Sequence, residues 1–255
     1  MRRLMATPLH AQIRGQLLQR LEAQLPPGNR LPCEEALAEE LGVSRATIRE
    51  ALMAMEHEGI LTRKHGVGTF VHPTALRNRA RVELETSFGD LLLELGYTRV
   101  HAAGSRTLEP ASPFQAGLLA VPEGSELALF ERTFFADGRP AIFSFNRIPL
   151  ALLNGPDAPD PDHQDSIFAF IARHTGAEVT HRIAWFRARR ASEGVAARLE
   201  LDVGEPVLCW DEVLYSIEDR PVCSCEIFFD TDLVPLCTMR RTGLPELRRV
   251  VRGKS

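Results

Sequence analysis

The chain has 255 residues, 44% apolar and 25% charged, which is typical of a globular protein with one large or two modest domains. No apolar run approaches the ~20 residues that a membrane-spanning helix requires, and the start MRRLMATPLH lacks the apolar stretch of a secretory signal. The net charge of −4 argues against a wholly basic nucleic-acid binder. We therefore expect a cytoplasmic protein without a membrane segment.

The first predicted element is a helix that begins at Thr7-Pro8, with threonine as the N-cap and proline at the first helical position. Leu9, Ile13, Leu17 and Leu21 follow at a spacing of four, which places them on one buried face. Pro26-Pro27-Gly28 ends this helix.

Residues 31–71 predict a helix, a tight turn, a second helix and a hairpin. Gly42 ends a short helix, Ser44 is a good N-cap for the next, and Ile48, Leu52 and Met55 form its buried stripe. Residues 60–62 and 69–71 then read as two strands around a glycine-containing tip. This order is that of a winged helix-turn-helix.

The second helix of this motif carries two arginines, Arg45 and Arg49, in its first turns and away from the buried stripe. Such a pair can be a solvated helix face, or it can contact bases and phosphates from the major groove. The N-cap and the basic hairpin favour DNA contact. Because residues 1–72 hold nine Lys or Arg against eight Asp or Glu, only a local patch can bind DNA.

Residues 73–85 lose apolar periodicity and are interpreted as a linker that leads into a first strand near residues 82–84. Ser87 then begins a short helix with a capping-box pattern that ends at Gly96. Farther along, Ser166 caps a helix over residues 167–174, after a loop rich in Pro and Asp.

An internal repeat organises the second domain, which we place at residues 86–242 with a tail at 243–255. Ala111-Ser112 begins a segment that recurs 80 residues later at Ala191-Ser192. Each copy contains a short helix, a glycine turn and a hairpin, the hairpins covering residues 127–147 and 207–229. Two such copies predict an α+β domain with an antiparallel sheet of about six strands and pseudo-twofold symmetry.

Polar residues set into these apolar strands are candidates for a binding site. They are Arg132, Ser144, Glu212, Ser224 and Glu226. Alternatively, Arg132 forms a structural ion pair with Glu131, Asp211 or Glu226.

The five cysteines lack zinc-site spacing, and we interpret them as reduced core residues rather than metal ligands.

Residues 8–73 closely resemble the DNA-binding domain of the GntR family of bacterial transcription regulators. PLHAQIRGQL, PPGNRLP, LAEELGVSRATIREAL and EGILTRKHGVGTFV carry this resemblance. It implies DNA contacts from the recognition helix and the wing, and together with the charge pattern gives the predicted set Ser44, Arg45, Thr47, Arg49, Arg63, Lys64, His65 and Gly66. The chain has Cys33-Glu34-Glu35 where the family usually has Ser-Glu-Arg, so we expect an operator that differs from the family's usual one.

The hairpins FERTFFADGRPAIFS and VLYSIEDRPVCSCEIFF resemble the UTRA effector domain of the HutC subfamily, which has a chorismate-lyase-like fold. By this resemblance the position of Arg132 binds the acidic group of an effector. The predicted effector-binding set is Ser87, Phe88, Arg132, Phe134, Ser144, Ser166, Arg182 and Glu226.

Phe134, Ser144 and Cys223 replace charged residues of the sugar-phosphate-responsive members of the subfamily. One cation with aromatic residues nearby, among them Phe143, Trp185 and Trp210, suits a monoanionic and partly apolar effector better than a phosphosugar. His181-Arg182 would add a second positive contact.

Three alternatives belong to other classes. A chorismate-lyase-like enzyme would need a catalytic set, and no nucleophile, base and acid occur at useful spacing in the second domain. An all-helical, metal-binding effector domain conflicts with the duplicated hairpins. The aminotransferase-fused branch needs a lysine, and none lies between Lys64 and Lys254. We therefore predict a homodimeric, ligand-responsive repressor that binds double-stranded operator DNA and a small anionic metabolite without a cofactor.

Overall fold

The computed structural model describes residues 8–78, 80–82, 87–153 and 166–239. The chain forms two compact units, one built from residues 1–84 and 237–255 and the other from residues 85–236. We call them the N-terminal unit and the sheet unit.

The N-terminal unit is a bundle of helices with a two-stranded wing. Its elements are α1 (Leu9–Ala23), α2 (Glu34–Leu41), α3 (Arg45–His57), β1 (Leu61–Lys64), β2 (Gly68–Val71) and α4 (Pro73–Arg77). The strands pair antiparallel, Leu61 opposite Val71. A 3-10 turn at Pro27–Asn29 follows α1.

The core of this unit forms from the predicted stripes. Ile13, Leu17 and Leu21 of α1 pack in one cluster with the predicted stripe of α3 and with Leu61 and Val71 of the wing. Burying one such aliphatic side chain contributes about 1.5–3 kcal/mol. The helix-turn-helix and the wing are thus held by the same apolar core.

The segment that follows the wing is more ordered than a linker pattern suggests. Residues 73–77 form α4, and Ala75 and Ala80 are buried. Arg81, also buried, donates from Nη1 to the carbonyl oxygen of Glu58 at 2.6 Å. The predicted strand at 82–84 is only partly described: Val82 lies in a turn, and residues 83–84 lie outside the described residues.

The start of α1 also differs from its prediction. The helix begins at Leu9, so Pro8 is the N-cap and not the first helical residue. Thr7 lies outside the described residues.

The sheet unit contains the predicted six-stranded antiparallel sheet, in the order β3-β4-β5-β8-β7-β6. Its strands are β3 (Val100–Pro110), β4 (Glu126–Ala136), β5 (Arg139–Pro149), β6 (Val179–Arg190), β7 (Pro206–Ser216) and β8 (Pro221–Phe229). Its helices are α5 (Phe88–Glu94), α6 (Pro113–Leu119), α7 (Ile167–Thr175) and α8 (Glu193–Leu199). A 3-10 turn at Leu150–Leu152 follows β5.

The repeat is visible in the topology, because the strand order is symmetric about the β5–β8 pair. Ser112 caps α6 and Ser192 caps α8 through the same hydroxyl-to-backbone bond. Each copy also includes an earlier helix, since Ser87 caps α5 and Ser166 caps α7 in the same way. The repeating unit is therefore helix, strand, helix and hairpin.

Helices cover both faces of the sheet. On one face, which we call the α6/α8 side, α8 packs on β5 and α6 on β8. On the other face the Phe88 ring of α5 meets Phe134 edge-on at 5.4 Å, and the Phe170 ring of α7 meets Phe130 at 5.0 Å. We call this second surface the α5/α7 face. Among the described residues, no helix has the length and apolarity needed to cross a bilayer.

Candidate DNA-binding and effector-binding surfaces

The turn between α2 and α3 fixes the start of the predicted recognition helix. Gly42 ends α2 with a φ of 64°, a left-handed conformation that glycine adopts readily. The Ser44 hydroxyl accepts the Thr47 N–H at 3.1 Å, so α3 begins at Arg45. Arg45 and Arg49 have side chains 58% and 54% exposed, opposite the buried stripe.

Acidic side chains hold the arginines of this surface. Glu35 lies 2.6 Å from Arg45, and Glu34 lies 3.0 Å from Arg49. The pKa of the Glu35 carboxyl is lowered, first by a hydrogen bond from its own backbone N–H and then by Arg45.

Arg63 is shared between two acids. Its guanidinium lies 3.0 Å from Glu56 and 3.4 Å from Glu34, and its backbone N–H also donates to Glu56. The guanidinium groups are thus oriented before any DNA is bound.

An open groove of about 640 Å³ runs between the start of α2 and the wing. Its lining includes the predicted Arg63, Lys64, His65 and Gly66, and also Arg30. A Cβ at Gly68 would lie 2.7 Å from Arg30 Nε, so the glycine lets that guanidinium rest against the wing. Sequence reasoning missed Arg30, although it ends the PPGNR loop that carries part of the resemblance.

Five of the predicted effector residues cluster on the α5/α7 face near β4. Arg132 is 3% exposed and stands opposite Ser144 in the β4–β5 pair. Its guanidinium carbon lies 4.8 Å from the Phe134 ring centroid, and that ring also contacts Phe88. Ser87 caps α5 by accepting the Asp90 N–H, while its hydroxyl donates to the Asp90 carboxylate at 2.7 Å.

Arg182 and Ser166 lie at the other half of the repeat. Arg182 Nε is 3.3 Å from a carboxylate oxygen of Glu212, and its guanidinium carbon lies 5.4 Å from the Phe168 ring centroid. Glu212 is 6% exposed, and burial raises its pKa although Arg182 opposes the shift. Trp210 Nε1 is buried and has no hydrogen-bond acceptor among the described residues.

Glu226 does not join this group, which corrects the prediction for that residue. The register aligns Ser144 with Ile227, so Glu226 points to the opposite face. There it lies 2.9 Å from both Arg147 and Arg189. Ser224 is on the same side as Glu226.

The aromatic residues predicted around the site divide in the same way. Phe143 packs in the cluster under α8, and Trp185 is aligned with Asp211 on the α6/α8 side. His181 stacks on Tyr215 there, so it is separated from Arg182 by the sheet. Of the four aromatic residues predicted near the cation, Phe134 and Trp210 lie on the α5/α7 face, where Phe88 of α5 joins them.

The carboxylates considered as structural partners of Arg132 are held by other arginines. Glu131 pairs with Arg198 at 2.6 Å, and Asp211 pairs with Arg189 at 2.7 Å. These pairs and the Glu226 pairs lie on the α6/α8 side.

The cysteines are only partly core residues. Cys209, Cys223 and Cys225 are buried, whereas Cys33 is exposed. Burial raises the pKa of Cys209 to about 12. A hydrogen bond with Cys223, 3.6 Å between sulfur atoms, and burial raise the pKa of Cys225 well above its usual range. These three buried residues therefore act as small apolar side chains.

Two family models match this chain. Residues 9–71 match the family model described as bacterial regulatory proteins, gntR family, and residues 76–234 match the UTRA domain. The chain is 25% identical to the uncharacterized HTH-type transcriptional regulator YurK of Bacillus subtilis, over 88% of this chain and 91% of that protein. It is 28% identical to the histidine utilization repressor of Pseudomonas putida, over 79% of each.

The fold has solved counterparts. The crystal structure of the possible transcriptional regulator YydK from Bacillus subtilis superimposes with a TM-score of 0.69 at 17% identity, covering 93% of this chain and all of that one. The helix-turn-helix unit, the six-stranded sheet unit and the two family matches agree. The chain therefore belongs to the HutC subfamily of the GntR family, and it is a ligand-responsive, DNA-binding transcription regulator with a C-terminal UTRA domain.

Proposed function

We propose that the protein is a homodimeric repressor that places α3 in the major groove of a short inverted repeat. The repressor dissociates from this operator when a small anion binds the α5/α7 face. The observation that carries this proposal is the exposed Arg45–Arg49 pair at the Ser44-capped start of α3. A helix N-terminus in the major groove brings such side chains to base edges. The protein acts by binding, and we place it in the cytoplasm.

The proposed DNA contacts come from two elements. The recognition helix and the wing supply Ser44, Arg45, Thr47, Arg49, Arg63, Lys64, His65 and Gly66. Arg49 is a strong candidate for base recognition, because it is more than half exposed and Glu34 orients its guanidinium at 3.0 Å.

Replacement of Arg49 by alanine tests this docking. If Arg49 reads a base, operator binding should weaken by about 1–3 kcal/mol and specificity should relax at one position. If it contacts a phosphate, binding should weaken evenly across sequences and the salt slope should fall by about one. Arg20→Ala is the matched control, because Arg20 is an exposed arginine of α1 that pairs with Glu40. Operator affinity unchanged in both Arg45→Ala and Arg49→Ala would remove α3 from the interface.

The proposed effector site contains Arg132 with Ser87, Phe88, Phe134 and Ser144, and extends toward Ser166 and Arg182. A buried guanidinium beside two aromatic rings suits a monoanionic ligand with an apolar part. Shifting a two-state equilibrium from 1:99 to 99:1 needs about 5.5 kcal/mol of differential affinity. One charged hydrogen bond supplies about 1.5–3 kcal/mol, so burial of the apolar part must contribute much of the remainder.

Operator release tests the effector proposal. Full-length protein on labelled operator is titrated with carboxylate metabolites and with sugar phosphates. Arg132→Ala should weaken the response, whereas Arg198→Ala, an arginine of the α6/α8 side, should leave it unchanged. Operator release at low concentrations of a phosphosugar would contradict the interpretation that Phe134 and Ser144 favour a monoanionic effector over a phosphosugar. An unchanged response in Arg132→Ala would remove that residue from the site.

Dimerisation is proposed because the charge of residues 1–72 is nearly balanced, so one N-terminal unit makes few phosphate contacts. When two N-terminal units are linked, binding of the first raises the effective concentration of the second at its half-site, which increases the overall affinity. We assign the dimer contact to residues 80–242, where the edge strands β3 and β6 need cover. Sedimentation of full-length protein at micromolar concentration should give a dimer, and sedimentation of that fragment alone tests the assignment.

A further inference from the structure

The start of α2 places a carboxylate on the surface that the recognition helix presents. Glu35 is the second residue of α2, and Arg45 is the first residue of α3. Their side chains are 56% and 58% exposed and lie 2.6 Å apart. Because Gly42 and Ser44 fix the turn between the helices, the pair has a defined position relative to α3.

Glu35 differs from the other acids of this surface. Glu34 is 24% exposed and lies between Arg49 and Arg63. Glu56 accepts hydrogen bonds from both the guanidinium and the backbone N–H of Arg63. Those two acids orient arginines from the side of the protein. Glu35 is more than half exposed beside Arg45, so with α3 docked in the groove Glu35 enters the interface with it.

A carboxylate in the major groove needs a hydrogen-bond donor. It is repelled by phosphates, and removing its water without a new donor is costly. The base edges of the groove offer two kinds of donor, the N4 amino group of cytosine and the N6 amino group of adenine. Arg45 has five N–H donors, so it can keep Glu35 and still reach the O6 and N7 acceptors of a guanine.

We propose that Glu35 is a specificity-determining residue, which accepts a cytosine or adenine amino group beside a guanine contacted by Arg45. Each half-site then contains one position restricted to a base that presents an amino group to Glu35. The carboxylate supplies discrimination rather than affinity, because guanine or thymine at that position offers it no amino group in the groove. This inference rests on the proposed docking of α3 in the major groove.

The test is selection of operators from a pool of random duplexes by the full-length protein. Wild type, Glu35→Ala and Glu39→Ala are compared, the last removing the same charge from the same helix one turn later. Glu35→Ala should lose about 5- to 100-fold of discrimination at one position in each half-site. Glu39→Ala should keep the wild-type profile.

Three results would overturn the inference, given melting curves that match wild type. They are an unchanged profile in Glu35→Ala, an equal rise in affinity for all sequences, which indicates simple repulsion, and loss of binding to every sequence. Arg49→Ala separates this inference from the docking itself. If Arg49→Ala weakens operator binding while Glu35→Ala keeps the profile, only the role of Glu35 is wrong; if Arg49→Ala and Arg45→Ala both bind normally, the docking is wrong.

Discussion

Replacement of Gly104 by alanine should push β3 away from β4, the strand that carries Arg132 and Phe134 of the proposed effector site. Gly104 lies in β3 directly opposite Arg132 of β4. A Cβ at Gly104 would lie 2.1 Å from the carbonyl oxygen of Glu131, 3.2 Å from its carbonyl carbon and 3.3 Å from the Cα of Arg132. These are backbone atoms, so no side-chain rotation relieves the contact, and β3 must move by about 1 Å or more to reach ordinary carbon–oxygen separation.

The expected cost follows from that displacement. Overpacking in a well-packed region costs about 1–3 kcal/mol, and a weakened ladder hydrogen bond adds about 0.5–1.5 kcal/mol. For a domain of about 150–250 residues, 1 kcal/mol corresponds to about 2–4 °C in melting temperature. We therefore expect the melting temperature of the sheet unit to fall by about 5–10 °C and the effector response to weaken.

Tryptophan fluorescence measures this change in the full-length protein. The chain has two tryptophans, and both, Trp185 and Trp210, lie in the sheet unit. Gly117→Ala in α6 is the control, because a Cβ there meets nothing within 4 Å and alanine should stabilise the helix by about 0.5–1 kcal/mol. A Gly104→Ala protein that melts within about 1 °C of wild type would show that the strands absorb the methyl group, and the argument from close approach would fail.

Three further changes have expected outcomes. Burial raises the pKa of Glu212 against the opposing effect of Arg182, so the charged carboxylate is disfavoured in the folded protein. The stability of the protein therefore falls as the pH rises above 4.5. Glu212→Gln should raise the melting temperature at neutral pH and lose this advantage below pH 4.5. Hydrogen bonds, first from the Arg99 N–H, lower the pKa of Asp137, so Asp137→Asn should be less stable than wild type at neutral pH, with the difference disappearing as the pH falls through the native-state pKa, below 3.8. Ser44→Ala removes the α3 cap and should lower the free energy of unfolding by about 1 kcal/mol, measured by circular dichroism melting. Glycine is a tolerated N-cap, so an equal loss of stability in Ser44→Gly would contradict the role of Ser44 as the cap.

Local patterns predicted the N-terminal unit well, because its elements are specified by neighbouring residues. Ser44, Gly42 and the stripe from Ile48 to Met55 act within one or two helical turns. Sequence reasoning missed the acid partners of the arginines, because Glu35 and Arg45 meet only after the turn between α2 and α3 brings them together.

The face of each strand residue was harder to predict. The turn before β8 is one residue longer than the turn before β5, and side chains alternate faces along a strand. Ser144 therefore corresponds to Cys225 and not to Ser224, since Arg132 is opposite Ser144 and Glu212 is opposite Cys225. One inserted residue moves Ser224 and Glu226 to the other side of the sheet.

The outer strands β3 and β6 were also not placed by the sequence. Among the strands that the structure describes, each has a neighbour on one side only, and exposed residues recur along both. Their sequences, such as VHAAGSRTLEP and the arginine-rich end of β6, lack the apolar runs of the central strands. Their pairing with β4 and β7 depends on contacts that periodicity does not reveal.

The duplicated sheet, with different side chains at equivalent positions, can fix the orientation of a bound ligand. A sheet with a perfect twofold axis would offer any small molecule two poses of equal energy, related by rotation through half a turn. Arg132 and Glu212 occupy equivalent positions in the two halves, 80 residues apart, yet one carries a permanent cation and the other a carboxyl whose pKa is raised. An anion that approaches the α5/α7 face is attracted at one position and receives no such attraction at its symmetry mate, so a duplicated frame with one exchanged pair of side chains can hold an asymmetric molecule in a single orientation.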